Sequence, residues 1–143
     1  MLLVDDVIFN LMPLRQMIEN KFERTCDEAE NGEQAVAMYD QSMTKTCCNT
    51  RYRAIFTDIQ MPKMDGITAA QTIQAHEQRF LDLNPSLPRV KIVMVSSYDT
   101  LDVVKKCRDI GITDYLTKPV SLKLLRPICD KLFPEKSRIE EEH

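Results

Sequence analysis

The sequence lacks the features that mark membrane-spanning, secreted and nucleic-acid-binding chains. It contains no tryptophan and only three glycines. No apolar run approaches the ~18 residues that a membrane-spanning helix needs, and the first residues do not resemble a signal peptide. Acidic residues outnumber basic ones by 22 to 19, so there is no basic excess of the kind that a nucleic-acid-binding surface requires. We therefore expect a domain that binds neither nucleic acid nor membrane.

The cysteines also exclude two classes of small domain. There are five, an odd number, and none forms a C-x-x-C pattern. We expect neither a disulfide framework nor a structural zinc site. Unpaired thiols are typical of a reducing compartment, which favours a cytoplasmic location.

Short apolar runs alternate with helical stretches along the chain. The apolar runs predict five strands, at 1–4, 24–29, 54–57, 90–95 and 115–117. Apolar residues at helical spacing predict five helices, at 10–20, 33–43, 68–80, 100–110 and 121–132. This alternation predicts an α/β domain with a parallel sheet and right-handed crossovers.

Several local signals set the expected ends of the elements. We expect Asn10 to cap the first helix, with Pro13 in its first turn, where a missing N–H does little harm. Ser121 can cap the last helix, which Pro127 should kink or loosen. The connections at 42–53 and 80–89 are long and are predicted to be surface insertions.

The chain is long enough for one domain with a substantial core. We expect this domain to occupy residues 1–134. Residues 135–143 are predicted to form an acidic tail or the stub of a linker.

Charged and hydroxyl side chains follow four of the five predicted strands. They are Asp5 and Asp6 after the first strand, Asp58 after the third, Ser96 and Ser97 after the fourth, and Lys118 after the fifth. Because ligands bind beyond the carboxyl ends of the strands in an open parallel sheet, we expect these groups to converge. Three carboxylates and one ammonium sum to −3 + 1 = −2. Such a cluster is unfavourable unless it is compensated, and Mg²⁺ prefers oxygen ligands of this kind.

This set of groups suits phosphoryl transfer. A carboxylate beside a metal ion can attack a phosphoryl group and form an aspartyl phosphate. Lys118 and Ser96 would then supply positive charge and a hydrogen-bond donor to the phosphoryl oxygens. Any single acid could instead cap a helix or face water, and the convergence of all four charged groups is what favours a site.

The same residues lie in segments that resemble the receiver domains of response regulators, in particular those attached to hybrid histidine kinases. The segments are Leu3-Val4-Asp5-Asp6 followed by Asn10, and then 28–35, 57–66, 95–97 and 111–119, in the order that the family has. The stretch D-I-Q-M-P-K-M-D-G from Asp58 to Gly66 is the most specific of them. The resemblance implies the flavodoxin-like receiver fold, a five-stranded parallel sheet of order 2-1-3-4-5 flanked by five helices.

The resemblance also implies roles for the acids. Asp58 would be the phosphoacceptor. Asp6, Asp58 and the backbone carbonyl of Gln60 would be the protein ligands of Mg²⁺, with Asp5 acting through a metal-bound water.

Further roles would fall to the other strand ends. Ser96 would be the switch hydroxyl, with Ser97 beside it, and Lys118 would bind a phosphoryl oxygen. Tyr115 would be the aromatic residue that moves with the switch. A cis peptide bond before Pro119 and the glycine at Gly66 would be structural, by the same resemblance.

The implied function is a phosphorylation switch in a two-component or phosphorelay system. A histidine kinase or a histidine phosphotransfer protein would donate the phosphoryl group, and the domain would catalyse only its own phosphorylation and dephosphorylation. It would be a monomer, or a weak dimer through the face that contains Tyr115 and the last helix. The alternative is a receiver-like interaction module that works without phosphorylation. A true enzyme with an aspartate nucleophile would usually need D-x-D after the first strand, whereas here Asp5 and Asp6 are adjacent.

Overall fold

In the computed structural model, five parallel strands alternate with five helices. The structure describes residues 1–44, 52–97, 101–112 and 114–133. The strands are β1 (Leu2–Val4), β2 (Asp27–Ala29), β3 (Ala54–Asp58), β4 (Lys91–Ser96) and β5 (Asp114–Thr117). The helices are α1 (Ile8–Phe22), α2 (Gly32–Thr44), α3 (Gly66–Leu83), α4 (Leu101–Asp109) and α5 (Leu122–Leu132). The predicted tail at 135–143, and residues 45–51 of the predicted insertion, lie outside the described residues.

The strands form one sheet of order β2-β1-β3-β4-β5, with every neighbouring pair parallel. The predicted fold class and strand order are therefore confirmed. The chain steps from β1 to β2 in one direction and then returns past β1 to β3, β4 and β5. Because parallel crossovers are right-handed, this reversal puts α1 on the opposite face of the sheet from α2, α3 and α4.

Two apolar cores follow from this arrangement. Successive strand residues point to opposite faces, so Leu2 and Val4 join the core beneath α2, α3 and α4, while Leu3 joins the core beneath α1 and α5. Both faces of the sheet are covered, which explains why the central strands are continuous apolar runs rather than alternating ones. Each fully buried aliphatic side chain contributes roughly 1.5–3 kcal/mol of burial free energy.

Helix α1 begins earlier than predicted. Its N-cap residue is Val7, which makes no side-chain cap, and Asn10 lies inside the helix, so the prediction that Asn10 caps it was wrong. The Asp5 carboxylate accepts a hydrogen bond from the Val7 N–H at 2.9 Å, and this bond turns the chain into the helix before Asn10 is reached. Pro13 therefore lies in the second turn, where its missing N–H removes one helical hydrogen bond.

Helix α3 runs three residues beyond its predicted end, which shortens the predicted insertion that follows it. The helix starts at an Asp65 cap, whose carboxylate accepts from the Thr68 N–H at 2.7 Å. Near its other end, the buried Glu77 accepts from the Tyr39 hydroxyl at 2.8 Å and from the Val90 N–H at 2.7 Å. These bonds tie α2 and α3 to the start of β4, and a carboxylate buried without such donors would be strongly unfavourable.

Helix α5 is capped by Ser121, as predicted, and it continues through Pro127 to Leu132. Among the described residues, no helix is both long enough and apolar enough to span a membrane.

The loop between β3 and α3 closes tightly over the end of β3. The Gly66 N–H donates to the Ile59 carbonyl at 2.8 Å. A Cβ atom at Gly66 would overlap the Asp58 carbonyl oxygen, so only glycine fits without moving the backbone. The glycine thereby fixes the path of the chain beyond Asp58.

We predict that Gly66→Ala destabilises the fold more than Gly111→Ala. Gly111 has a φ of 83°, and within the described part of the chain no atom beyond its two neighbours lies within 4 Å of the position of a Cβ. Its substitution therefore carries only left-handed strain of about 1–2 kcal/mol. Gly66→Ala forces backbone apart and should lower the free energy of unfolding by about 3 kcal/mol. Urea unfolding followed by circular dichroism measures both. Equal losses would show that the loop yields to a methyl group.

Candidate functional site

The sheet topology brings the predicted acids together. Val4 is opposite Thr57 in the register of β1 with β3, so Asp5 and Asp58 follow on neighbouring strands. One ligand oxygen from each of Asp5, Asp6 and Asp58 lies within 4.8 Å of the others. Asp5 and Asp58 are only 4% and 8% exposed, whereas Asp6 is exposed. Two buried carboxylates and one exposed carboxylate therefore share the edge where the strand order reverses, which is the usual ligand position in such sheets.

Lys118 reaches this cluster from the end of β5. Its ammonium nitrogen is 2.8 Å from Asp5 Oδ2 and 3.3 Å from Asp58 Oδ2. One cation thus serves two of the three acids, and the formal charge of the four groups is −3 + 1 = −2.

Backbone N–H groups hold the two buried carboxylates. The Val7 N–H donates to Asp5 Oδ1 at 2.9 Å, and the Ile59 N–H donates to Asp58 Oδ1 at 2.8 Å. Both oxygens of Asp5 are therefore engaged, one by Val7 and one by Lys118. The sequence did not reveal these two donors because every residue except proline carries a backbone N–H.

Burial and the neighbouring charged and N–H groups together shift the pKa values at the site. Burial raises the pKa of the Asp58 carboxyl above its ordinary value, and the charge of Asp5 adds to this effect, while Lys118 and the Ile59 N–H oppose it. Burial alone would lower the pKa of Lys118, but its hydrogen bond to Asp5 and the charge of Asp58 raise it above the ordinary value. The charged form of Lys118 is therefore favoured by its surroundings, whereas burial disfavours the ionised form of Asp58.

The hydroxyl groups predicted at this edge lie at the end of β4. Ser96 is buried and is the last residue of β4, one position beyond Val95, which pairs with Asp58. The Lys118 N–H donates to the Ser96 carbonyl at 2.9 Å, which joins the ends of β4 and β5. Ser97 is exposed.

The remaining predicted residues are more peripheral. Tyr115 lies on β5, opposite Met94 of β4. It is half-buried and packs against the core beneath α2, α3 and α4. Gln60 is exposed in the loop after β3. The peptide bond between Lys118 and Pro119 is cis.

The donor set fits a hard divalent cation. All three side chains offer carboxylate oxygens, and Lys118 leaves two negative charges without a partner cation among the four groups. Mg²⁺ favours such oxygen ligands and keeps several of its waters. One exposed and one buried carboxylate are therefore enough for the protein to bind it.

The family comparison agrees with this geometry. The chain matches the model of the response regulator receiver domain over residues 1–129. The chain therefore belongs to the receiver domain family of two-component signalling.

Similar proteins place such domains in larger chains. The sequence is 33% identical over 130 residues to the hybrid signal transduction histidine kinase L of Dictyostelium discoideum. The alignment covers 91% of this chain but only 7% of the kinase, so the chain spans a small part of the curated relative's length.

Solved structures share the fold. The receiver domain of the Saccharomyces cerevisiae response regulator Ssk1, crystallised with the histidine phosphotransfer protein Ypd1, is 27% identical with a TM-score of 0.68. That match covers 92% of this chain and 84% of the other. CheY of Borrelia burgdorferi, in a complex with CheX, BeF3 and Mg²⁺, is 26% identical with a TM-score of 0.69, and the match covers 92% and 87% of the two chains.

We predict opposite effects on stability for two substitutions at the site. Because the pKa of Asp58 is raised in the folded state, the ionised carboxylate destabilises the fold as pH rises through that pKa. Asp58→Asn should therefore raise the melting temperature of the metal-free protein at pH 7 by a few degrees. Asp5→Asn removes the charge of the nearer of the two carboxylates that Lys118 contacts and should lower the melting temperature.

Thermal unfolding in EDTA, followed by circular dichroism, measures both changes. The gain from Asp58→Asn should shrink toward pH 4, where the carboxyl is increasingly protonated in both states. A loss of stability in Asp58→Asn at pH 7 would contradict the assignment of Asp58 as a destabilised carboxylate.

Proposed function

We propose that this domain accepts a phosphoryl group from a phosphohistidine onto Asp58 and signals by the resulting change of charge. The observation that carries the proposal is the placement of Asp58, a buried carboxylate 3.3 Å from the Lys118 ammonium and clustered with two further acids. A buried carboxylate with an adjacent cation and oxygen ligands for a metal is what a phosphoacceptor requires.

The transfer is a displacement at phosphorus. A carboxylate oxygen of Asp58 forms the new P–O bond while the P–N bond to the donor imidazole breaks, and the leaving nitrogen takes up a proton. In dephosphorylation, a water oxygen forms a new bond to phosphorus while the P–O bond to Asp58 breaks, which restores the carboxylate and releases inorganic phosphate. Catalysis consists of positioning and electrostatic stabilisation.

We assign the metal site to Asp6, Asp58 and the backbone carbonyl of Gln60. Asp5 would act through a metal-bound water, because its two oxygens are already engaged by the Val7 N–H and Lys118. Mg²⁺ bound there would neutralise charge on the phosphoryl oxygens. The Mg²⁺ in the complex of the related CheY from Borrelia burgdorferi supports this choice of ion.

Lys118, Ser96 and Ser97 are proposed to receive the phosphoryl oxygens. Lys118 now contacts two carboxylates, and in the phosphorylated state the phosphoryl group would replace the Asp58 carboxylate as one of its two anionic partners. The phosphoryl group carries a charge of about −1.5 to −2, in place of the single negative charge of the carboxylate. That charge would draw Ser96 toward Asp58 and bias the position of Tyr115.

The partners follow from this chemistry. The donor would be a histidine kinase or a histidine phosphotransfer protein, as the Ypd1 complex of a related receiver suggests. The output would act through the face with Tyr115 and α5, which could also form a weak dimer of an otherwise monomeric domain. We place the domain in the cytoplasm, because the free cysteines Cys26, Cys107 and Cys129 favour a reducing compartment.

The first test is the intact mass of the protein after incubation with acetyl phosphate. We expect one phosphoryl adduct in the wild type with Mg²⁺, and no adduct without Mg²⁺ or in Asp58→Asn. The matched control is Asp102→Asn, an exposed acid on α4 that should not alter labelling. An equal adduct on Asp58→Asn would contradict the proposal, and a folded wild type with neither adduct nor metal binding would favour a phosphorylation-independent interaction module.

The second test concerns the metal. Asp6→Asn should weaken Mg²⁺ binding at least about tenfold, since loss of a single supporting group at a metal site often costs 10–100-fold. Titration calorimetry on the unphosphorylated protein measures this, with Asp102→Asn as the control. An unchanged Mg²⁺ affinity in Asp6→Asn would show that Asp6 is not a metal ligand. The role of Asp58 would still be decided by the mass measurement.

A further inference from the structure

A cavity of about 310 Å³ opens beside the phosphoacceptor site. It lies between the first turns of α1 and the segment that follows β5. Its walls include Leu11, Leu14, Phe56, Val95 and Val120. This volume is at the lower end of the range for small-molecule sites, which are mainly apolar with a few polar groups.

Four polar residues contribute to the lining of the cavity. Two of them are Asp5 and Lys118, which form the ion pair of the site. Asn10 and Ser97 are exposed and also line it, so they can offer hydrogen bonds to an occupant. The occupant therefore needs an apolar body with at least one hydrogen-bonding group.

The charge of the neighbourhood restricts the occupant further. Lys118 is outnumbered by Asp5, Asp6 and Asp58, which leaves a formal charge of −2 beside the cavity. This field opposes the entry of an anion and permits a neutral or cationic molecule. Mg²⁺ bound at the site would cancel this formal charge, so the discrimination against anions applies to the metal-free protein.

An aromatic ring stands at the entrance. Phe9 lines the cavity but is 76% exposed, an unusual state for so large an apolar side chain. The bond from the Val7 N–H to Asp5 holds the start of this helix in place. The exposed ring can still change its rotamer, which lets Phe9 pack on a molecule in the cavity.

We propose that this cavity binds an aromatic small molecule of one or two rings that carries no negative charge. The ring system would pack between Phe9 and the wall formed by Leu14 and Val120. It would lie against the Asp5–Lys118 pair, so its binding would slow phosphorylation of Asp58. The binding step does not depend on phosphorylation and can therefore succeed or fail independently of the function proposed above.

Three probes that share one ring system test the binding. Indole, tryptamine and indole-3-acetate are titrated into the ¹⁵N-labelled chain without Mg²⁺, and amide shifts are followed. We expect indole and tryptamine to bind with Kd values of roughly 0.1–1 mM, as suits ligands of this size. Indole-3-acetate should bind at least about tenfold more weakly because of the local charge.

Variants assign the binding to the cavity. Val120→Phe fills part of the space and should weaken indole binding at least about tenfold, while Phe9→Ala should weaken it about threefold through the loss of stacking area. Leu83→Ala, an exposed leucine at the end of α3 away from the cavity, should have no effect. Unchanged indole binding in Val120→Phe would overturn the site, as would an equal affinity for indole and indole-3-acetate or no binding of any probe.

The coupling is measured separately. Saturating indole should slow labelling by acetyl phosphate at least about threefold in the wild type and have no effect in Val120→Phe. Binding without a change in labelling would overturn the coupling. If no probe binds and Phe9→Ala slows only transfer from a phosphohistidine protein, the surface is a protein contact and the ligand site is refuted.

Discussion

A single ammonium group stands among three carboxylates at the edge of the sheet, and the arrangement of the site depends on this imbalance. Lys118 is within 2.8 Å of Asp5 and 3.3 Å of Asp58, so it cannot neutralise both, and Asp6 adds a further charge. Burial prevents water from screening the two inner acids fully. The two uncompensated negative charges suit the site to a divalent cation.

The fold supplies this imbalance through its topology rather than through any single element. β1 and β3 are neighbours although they are not consecutive along the chain, so the acids that end them meet where the strand order reverses. β5 is two strands away from β3, and the extended Lys118 side chain spans that distance. The tight turn at Gly66 and the Val7 N–H then fix the backbone around Asp58 and Asp5.

Much of this was predictable from the sequence, and the exceptions have physical causes. The parallel sheet and the convergence of Asp5, Asp58 and Lys118 follow from local patterns and from rules that hold for such sheets. The strand order was implied by the resemblance to receiver domains. The predicted start of α1 was wrong because the hydrogen bond from the Val7 N–H to the Asp5 carboxylate sets where the helix begins. This bond overrides the capping preference of Asn10. The hydrogen bonds of Glu77 and the cavity beside Phe9 were not foreseen, since both arise from elements that are distant in sequence.

Asp58 is the residue proposed to bear the phosphoryl group, and locating the modified carboxyl group in the sequence tests this most directly. Borohydride reduces an acyl phosphate of aspartate to homoserine, which fragmentation of the tryptic peptides by mass spectrometry can locate. After phosphorylation and reduction, we expect homoserine at position 58 and at no other position. Homoserine at Asp5 or Asp6, or a stable phosphate on Ser96 or Ser97, would contradict it.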